Sequence, residues 1–339
     1  MAMLFPSVPE KLRLGAYPYT FARVSAMKGK LITREEYQKL LKMQLSEIAK
    51  FLEEGEYKKE IDVLAVQHSG VPLLTQALEQ HFSNVVEKLR RISDEELVLL
   101  MDAYLLRRDI ANFKTLLRGK KQGLPASELR LGFQAGILPA RVMDQLLQTP
   151  DIDALLKEFR ALGLPLALGK DLREIEHDLD VAYYEHMLAI AALLPRQGAL
   201  FTNFLLRELD NRNLFTLLRL RQAKVPQNEI AKHLLPQGRR FPVAWLLKLA
   251  TTSEEEFTSA LAARKVTLDA RIPDLEVQHA KVLLDSALLL LHQNPLSVDV
   301  ILGFLFAKEV EIRNLRMIIM GKHLGVQEQF LEQNLVIGD

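Results

Sequence analysis

The sequence predicts an all-α protein built from three similar helical units, and two observations support this prediction. The first is a set of capping boxes, in which a polar cap stands three residues before an acidic one at the start of a helix. They occur at 33–36, 93–96 and 253–256, each followed by apolar residues at helical spacing. The second is an internal repeat. Alternating patterns typical of half-buried strands are scarce.

The repeat has a period of 101 residues and is centred on three asparagines. An acid stands three residues before each asparagine, paired apolar residues follow it, and a base stands eight residues after it. This period predicts units at 1–122 (with an N-terminal segment), 123–223 and 224–339. The repeated residues are the acids Asp109, Asp210 and Glu311, the asparagines Asn112, Asn213 and Asn314, and the bases Lys120, Arg221 and Lys322.

The repeated residues are interpreted as structural. Positions three or four apart share a helix face, so each acid stands beside its asparagine, where the two could bond each other or a neighbouring helix. The bases fall near a helix end, where a cation complements the dipole, and Gly119, Gly123, Gly321 and Gly325 are plausible stop signals. The alternative is that these residues line a shared central surface. Three such units can close into a pseudo-threefold, funnel-like body or stack as a solenoid.

Composition excludes several classes of function. The chain has 44 basic and 43 acidic residues, a net charge of +1, which gives no global attraction to nucleic acid or an anionic membrane. It has no cysteine, which excludes disulfides, thiolate nucleophiles and thiolate metal sites and is consistent with a reducing cytoplasm. The N-terminus lacks the apolar stretch of a signal peptide, and the longest apolar runs, 287–291 and 300–307, are too short to span a membrane.

No catalytic or cofactor-binding motif is evident. The Gly-Lys pairs at 29–30, 119–120 and 321–322 lack the preceding glycine and the following Ser or Thr of a phosphate-binding loop. No G-x-G-x-x-G or G-x-S-x-G pattern occurs. We therefore expect neither catalytic residues, nor a cofactor, nor a bound metal.

Two alternatives remain open at this point. Two Glu-x-x-His pairs are typical of di-iron helical bundles, which also need a glutamate from each of two further helices. A basic stripe could instead bind phosphates in a helical-repeat adaptor, although acids interleave with it. The metal candidates are Glu174, His177, Glu276, His279, Glu96 and Glu208, and the stripe is Arg207, Arg212, Arg219, Arg221 and Lys224.

Three segments carry a resemblance to a known family. Residues 17–28 resemble the Y-x-x-ARV start of the C subunit of archaeal and bacterial A/V-type ATPases, a relative of the d subunit of eukaryotic V-ATPases. Residues 105–113, with the Lys-Lys-Gln-Gly ending at 120–123, resemble that family's LR-x-D-x-x-N-L helix. Residues 308–325 resemble its C-terminal helix, whereas the middle copy is looser at Arg212 and Leu220.

The resemblance covers essentially the whole chain and implies a non-catalytic rotor component. It implies a funnel of three helical domains on the cytoplasmic face of the membrane, peripheral to it. The implied partners are the D and F subunits of the central shaft and the proteolipid ring of c- or K-type subunits. Such a hub couples ATP synthesis or hydrolysis to proton or sodium transport.

Overall fold

The computed structural model describes residues 4–5, 8–12, 15–166, 171–194, 198–266, 272–293 and 296–338. Within these segments the chain forms helices and connectors without strands, which confirms the all-α class. The helices are α1 (Pro18–Lys28), α2 (Arg34–Lys42), α3 (Leu45–Glu54), α4 (Lys58–Leu64), α5 (Gly70–Arg91), α6 (Glu95–Gln122), α7 (Ala126–Leu131), α8 (Ala140–Leu147), α9 (Ile152–Ala161), α10 (Leu172–Ala192), α11 (Ala199–Gln222), α12 (Gln227–Ala231), α13 (Val243–Leu249), α14 (Glu254–Ala263), α15 (Ile272–Gln293), α16 (Val298–His323) and α17 (Glu328–Asn334).

One order of helices occurs three times. Two long helices are followed by a short one in α5–α7, α10–α12 and α15–α17. In the first two occurrences a further pair of helices follows, α8–α9 and α13–α14. After α17 no further helix follows in the described part of the chain.

The N-terminal helices bridge the first and last of these groups. Helix α2 packs against α17, and α1 and α3 pack against α16, while α4 packs against α5. The beginning of the chain therefore lies beside its end. The unit boundaries at 122 and 223 and the funnel-like, pseudo-threefold shape stay predictions.

Local capping signals explain where several of the helices begin. Thr33 and Ser253 form capping boxes with Glu36 and Glu256, as expected. The prediction at 93–96 was wrong by one residue: Asp94, not Ser93, is the cap, and it accepts a hydrogen bond from the Leu97 amide at 2.9 Å.

Two of the four predicted helix-ending glycines do not end a helix. Gly123 and Gly325 follow α6 and α16 with φ of 68°, the left-handed conformation expected beyond a helix C-terminus. Gly119 and Gly321, however, lie inside these helices. A Cβ at either position would meet a leucine side chain, that of Leu129 at 2.0 Å in the case of Gly119. The absence of a side chain there permits close packing of the following short helix.

The core has two parts. The larger part runs through α5, α6, α10, α15 and α16 and includes apolar residues of the N-terminal helices. The smaller part lies between the C-terminal half of α11 and α12–α14, around Phe241 and Leu246. Of the helices that the structure describes, none is both long and apolar enough to cross a bilayer.

Candidate functional site

The three repeated asparagines make the same contact in each group of helices. Each is buried, and its side-chain amide exchanges two hydrogen bonds with the backbone of the residue 22 positions later. Asn112 pairs with Gln134 (2.8 and 2.8 Å), Asn213 with Leu235 (2.9 and 2.7 Å) and Asn314 with Val336 (2.6 and 3.1 Å). The partner is thus a connector, rather than the neighbouring acid or helix that the sequence suggested.

The three acids hold the backbone just before a short helix. Asp109 accepts the amide of Ile137 at 2.8 Å, shortly before α8. Asp210 accepts the amides of Arg240 (2.8 Å) and Phe241 (3.0 Å), before α13. A carboxyl group there also lies at the positive end of the helix dipole, which favours its ionised form.

Glu311 does the same for a segment from the other end of the chain. It accepts the amide of Ile32 at 2.7 Å, immediately before α2. It also accepts the hydroxyl of Tyr57 and pairs with Lys308 at 2.5 Å. The N-terminal segment therefore takes, against α16, the place that α8 takes against α6.

The three bases hold the opposite end of the same short helices. Lys120 donates to the carbonyl of Leu147 (2.8 Å), the last residue of α8. Arg221 donates to the carbonyl of Leu249 (2.7 Å), the last residue of α13. Lys322 donates to the carbonyl of Leu41 in the last turn of α2. Terminal carbonyls of a helix lack partners within it, so each base satisfies an otherwise open acceptor.

The residues at one further position of the repeat lie close together in space. Arg107, Glu208 and Glu309 occupy the same position, five residues before the asparagines, in α6, α11 and α16. Arg107 pairs with Glu208 at 2.6 Å and approaches Glu309 at 3.9 Å. Because Arg107 contacts the equivalent glutamate of both other helices, the three long helices converge at this point.

Further charges surround this triad. Tyr104 donates its hydroxyl to Glu309 at 2.9 Å, and Arg108 lies 3.6 Å from the same carboxylate. Arg108 also pairs with Glu79 at 2.5 Å, which in turn pairs with Arg316 at 2.8 Å. The triad thus continues into a network that joins α5, α6, α11 and α16.

Arg107 is charged despite its burial. Burial disfavours this charge, but the neighbouring Glu208, Tyr104 and Glu309 together outweigh the effect of burial, and the pKa of Arg107 is raised well above its ordinary value. Burial likewise raises the pKa of Tyr104, so its hydroxyl stays protonated and able to donate. The Arg107 guanidinium and the Tyr104 hydroxyl therefore keep their protons across the physiological pH range.

A cavity of about 350 Å³ opens beside the triad. Its lining comes mainly from α6 and α16, with Arg212 from α11, and contains five arginines and two glutamates. A second cavity, of about 510 Å³, shares part of this lining and continues along α10, α11 and α15. Lining both are Arg107, Arg212, Ala280, Phe306 and Arg313.

None of the nine repeated residues lines these two cavities. The cavity face of the long helices instead carries the positions five and one before each asparagine. Sequence reasoning placed Glu208 and Arg212 only within the metal and phosphate alternatives and missed Arg107, Glu309 and Arg313 as a group. The available signal was a repeated column holding Arg, Glu and Glu, because charges of opposite sign at equivalent positions can pair across a closed ring.

Three of the candidate metal ligands make other contacts in the structure. Glu174 completes a capping box with Asp171, Glu276 pairs with Arg219, and Glu208 belongs to the triad. Within the described residues, no three His, Asp or Glu side chains lie close enough together to hold a metal ion.

The basic stripe on α11 is not one open face. Arg219 pairs with Glu276 and Arg221 holds backbone carbonyls, while Arg207 donates to Ser286 at 2.7 Å. Arg212 lines the cavity beside the triad. These side chains point in different directions, which disfavours a continuous phosphate-binding surface.

Comparison with known proteins places these features in a family. The model of the ATP synthase (C/AC39) subunit family matches residues 20–334. The chain is 33% identical over 338 residues to the C subunit of the A-type ATP synthase of Methanococcoides burtonii, covering 95% of this chain and 94% of that one. It is 34% identical to the C subunit of the A-type ATP synthase of Methanosarcina acetivorans (95% and 93% covered) and 31% identical to that of Archaeoglobus fulgidus (95% and 96%).

Proposed function

The chain belongs to the ATP synthase (C/AC39) subunit family, and from this premise we propose that it is a non-catalytic hub of a rotary ATPase. In this role it joins the central shaft, made by the D and F subunits, to the proteolipid ring. Torque then passes through it between the ATP-converting head and the ion-carrying ring. It acts on the cytoplasmic face of the membrane, held there through the complex.

The observation that supports this role most directly is the triad of Arg107, Glu208 and Glu309. Equivalent residues of three helical groups meet beside a cavity, as expected of a body closed around a central axis. Such a body can receive the end of a shaft. Helix contacts that run from the first group to the last, through the N-terminal segment, close it further.

Stiffness is the second property that a torque-bearing hub needs. The long helices α6 and α16 are buried along most of their length, and close-packed interiors deform little under load. The acid, asparagine and base columns add polar contacts that fasten each connector and short helix to a long helix. We propose that these nine residues serve structure rather than chemistry.

Binding of the purified chain to its cognate partners tests the proposal. We expect the chain to bind the D–F complex and, separately, the detergent-solubilised proteolipid ring, and to hydrolyse no ATP. Size-exclusion chromatography and interferometry would measure the two complexes. Failure to bind either partner under conditions where the chain is folded would contradict the hub role.

A further inference from the structure

The cavity beside the Arg107–Glu208–Glu309 triad, the central cavity, has a more basic lining than the chain as a whole. Five arginines and two glutamates line it, while the entire chain carries a net charge of only +1. The basic lining is therefore a local feature of this cavity, which the overall composition does not explain. Positive charge gathered in a concave surface attracts and orients an anionic partner.

Several of these guanidinium groups have N–H donors that bind no acceptor among the described residues. Arg313 projects into the cavity from α16 and has no hydrogen bond or ion pair with any described residue. Within the described part of the chain, the contacts of the Arg212 guanidinium are with Asp180 at 3.7 Å and the face of Tyr184 at 5.4 Å. The Nε of Arg316 is buried and has no partner among the described residues. Each guanidinium carries five N–H donors, so these three can donate to further acceptors on a ligand.

The second cavity adds Arg219 to the basic lining, and its three acids, Asp180, Glu208 and Glu276, are each already in an ion pair. Beyond the second cavity, which it adjoins at Asn211 and His279, lies a third of about 770 Å³ between α11, α15 and the end of α14. Among the described residues, its lining holds no acidic side chain and four basic ones, namely Arg207, Arg240, Arg264 and Lys265. Cationic positions distributed over three adjoining cavities suit charges spread along a chain better than one small anion.

We propose that these cavities bind a carboxylate-rich segment of the central shaft, with Arg212 and Arg313 as its principal partners. The inference rests on the proposed function, which supplies the shaft, and adds the chemistry by which the shaft is recognised. Protein carboxylates fit better than a compact polyanion because Glu79 and Glu309 stand among the arginines. Separated carboxylates can pair with individual guanidiniums while avoiding those two acids.

The experiment measures affinity for the cognate D–F complex and, separately, for poly-L-glutamate as a probe of carboxylate binding. The variants are Arg212→Gln, Arg313→Gln and the double variant, with the exposed Arg141→Gln of α8 as a matched control. Each cavity variant is expected to weaken both interactions roughly tenfold, as for loss of a charged interface contact, and the control to weaken neither. Affinity should also fall as NaCl rises from about 50 to about 500 mM.

The possible outcomes separate the two proposals. Unchanged affinity of both cavity variants for the D–F complex would overturn the carboxylate site while leaving the hub role in place. If the wild-type chain does not bind the D–F complex but binds poly-L-glutamate through Arg212 and Arg313, the hub role is contradicted and the carboxylate site is supported. Binding of inorganic pyrophosphate that needs both arginines, with shaft affinity unchanged in the variants, would overturn the inference in favour of a small-anion site.

Discussion

Arg107 and Glu208 occupy the same position in consecutive repeats, 101 residues apart, and their side chains form an ion pair of 2.6 Å. Both side chains are largely shielded from water, with 19% and 8% of their surface exposed. Arg107 of the first unit also lies 3.9 Å from Glu309 of the third, and in a linear stack the second unit would separate these two residues. These contacts therefore favour closure of the units around a shared centre over a solenoid.

Removal of Arg107 should leave two glutamates without their shared cation. We expect Arg107→Met to lower the free energy of unfolding by about 3–5 kcal/mol, the usual cost of one uncompensated buried charge. Urea unfolding followed by circular dichroism measures it. Adding Glu208→Gln should recover part of the loss, because one of the unpaired carboxylates is then neutral.

The matched control for this pair is Arg118→Met. Arg118 pairs with Glu176 at 2.5 Å, but 60% of its side-chain surface is exposed. Exposed pairs contribute at most about 1 kcal/mol. Equal losses in the Arg107 and Arg118 variants would show that the triad has no special place in the fold.

Each repeated asparagine should contribute similarly to stability. Replacing Asn112, Asn213 or Asn314 by alanine leaves a buried backbone N–H and carbonyl without partners, at an expected cost of about 1–3 kcal/mol. Thermal and urea unfolding would measure the loss. The exposed Asn228 provides a control, for which Asn228→Ala should stay within about 0.5 kcal/mol. No loss in any of the three would show that the connectors do not depend on these contacts.

The N-terminal segment should depend on Glu311. In Glu311→Ala the amide of Ile32 loses its acceptor, so hydrogen exchange across the start of α2 should become faster. In Asp210→Ala the faster exchange should instead appear at Arg240 and Phe241, before α13. Mass-spectrometric hydrogen exchange distinguishes the two patterns. Wild-type protection of α2 in Glu311→Ala would mean that the segment does not depend on the Glu311 contact.

The sequence sufficed for the all-α class, for two of the three predicted capping boxes and for the repeat, because all depend on patterns within one helix or at a fixed period. It was not sufficient for the partners of the repeated residues. Glu311 contacts Ile32, which lies 279 positions away, and no periodicity links those two residues. Arg107 was overlooked for the related reason that its column changes charge, whereas a repeat is recognised most readily where one residue type recurs.

Asp109 should make stability depend on pH. Burial raises the pKa of this carboxyl to about 7, against the opposing effect of the Ile137 and Leu138 amides. The folded state then holds a proton that the unfolded chain releases near pH 4. The resulting stabilisation is complete below about pH 4 and is lost as the pH rises through about 7, by up to about 4 kcal/mol.

Comparison with Asp109→Asn isolates this contribution, because the amide has no proton to lose. The free energy of unfolding of the variant minus that of wild type should be larger at about pH 8 than at about pH 5.5, because only wild type loses stability as the pH rises. Urea titrations of both proteins at the two pH values provide the measurement. A constant difference would indicate that Asp109 has the same pKa folded and unfolded.

Lys224 occupies the position at which the other two repeats have Gly123 and Gly325. All three residues have a positive φ, 55° at Lys224 and 68° at the two glycines. A side chain in this left-handed conformation costs roughly 1 kcal/mol, which glycine avoids at some cost in unfolded-state entropy. We therefore expect Lys224→Gly to raise the free energy of unfolding by about 0.5–1 kcal/mol and Gly325→Ala to lower it by a similar amount. Urea unfolding of the two variants would test this, and destabilisation by Lys224→Gly would show that contacts of the lysine outweigh its backbone strain.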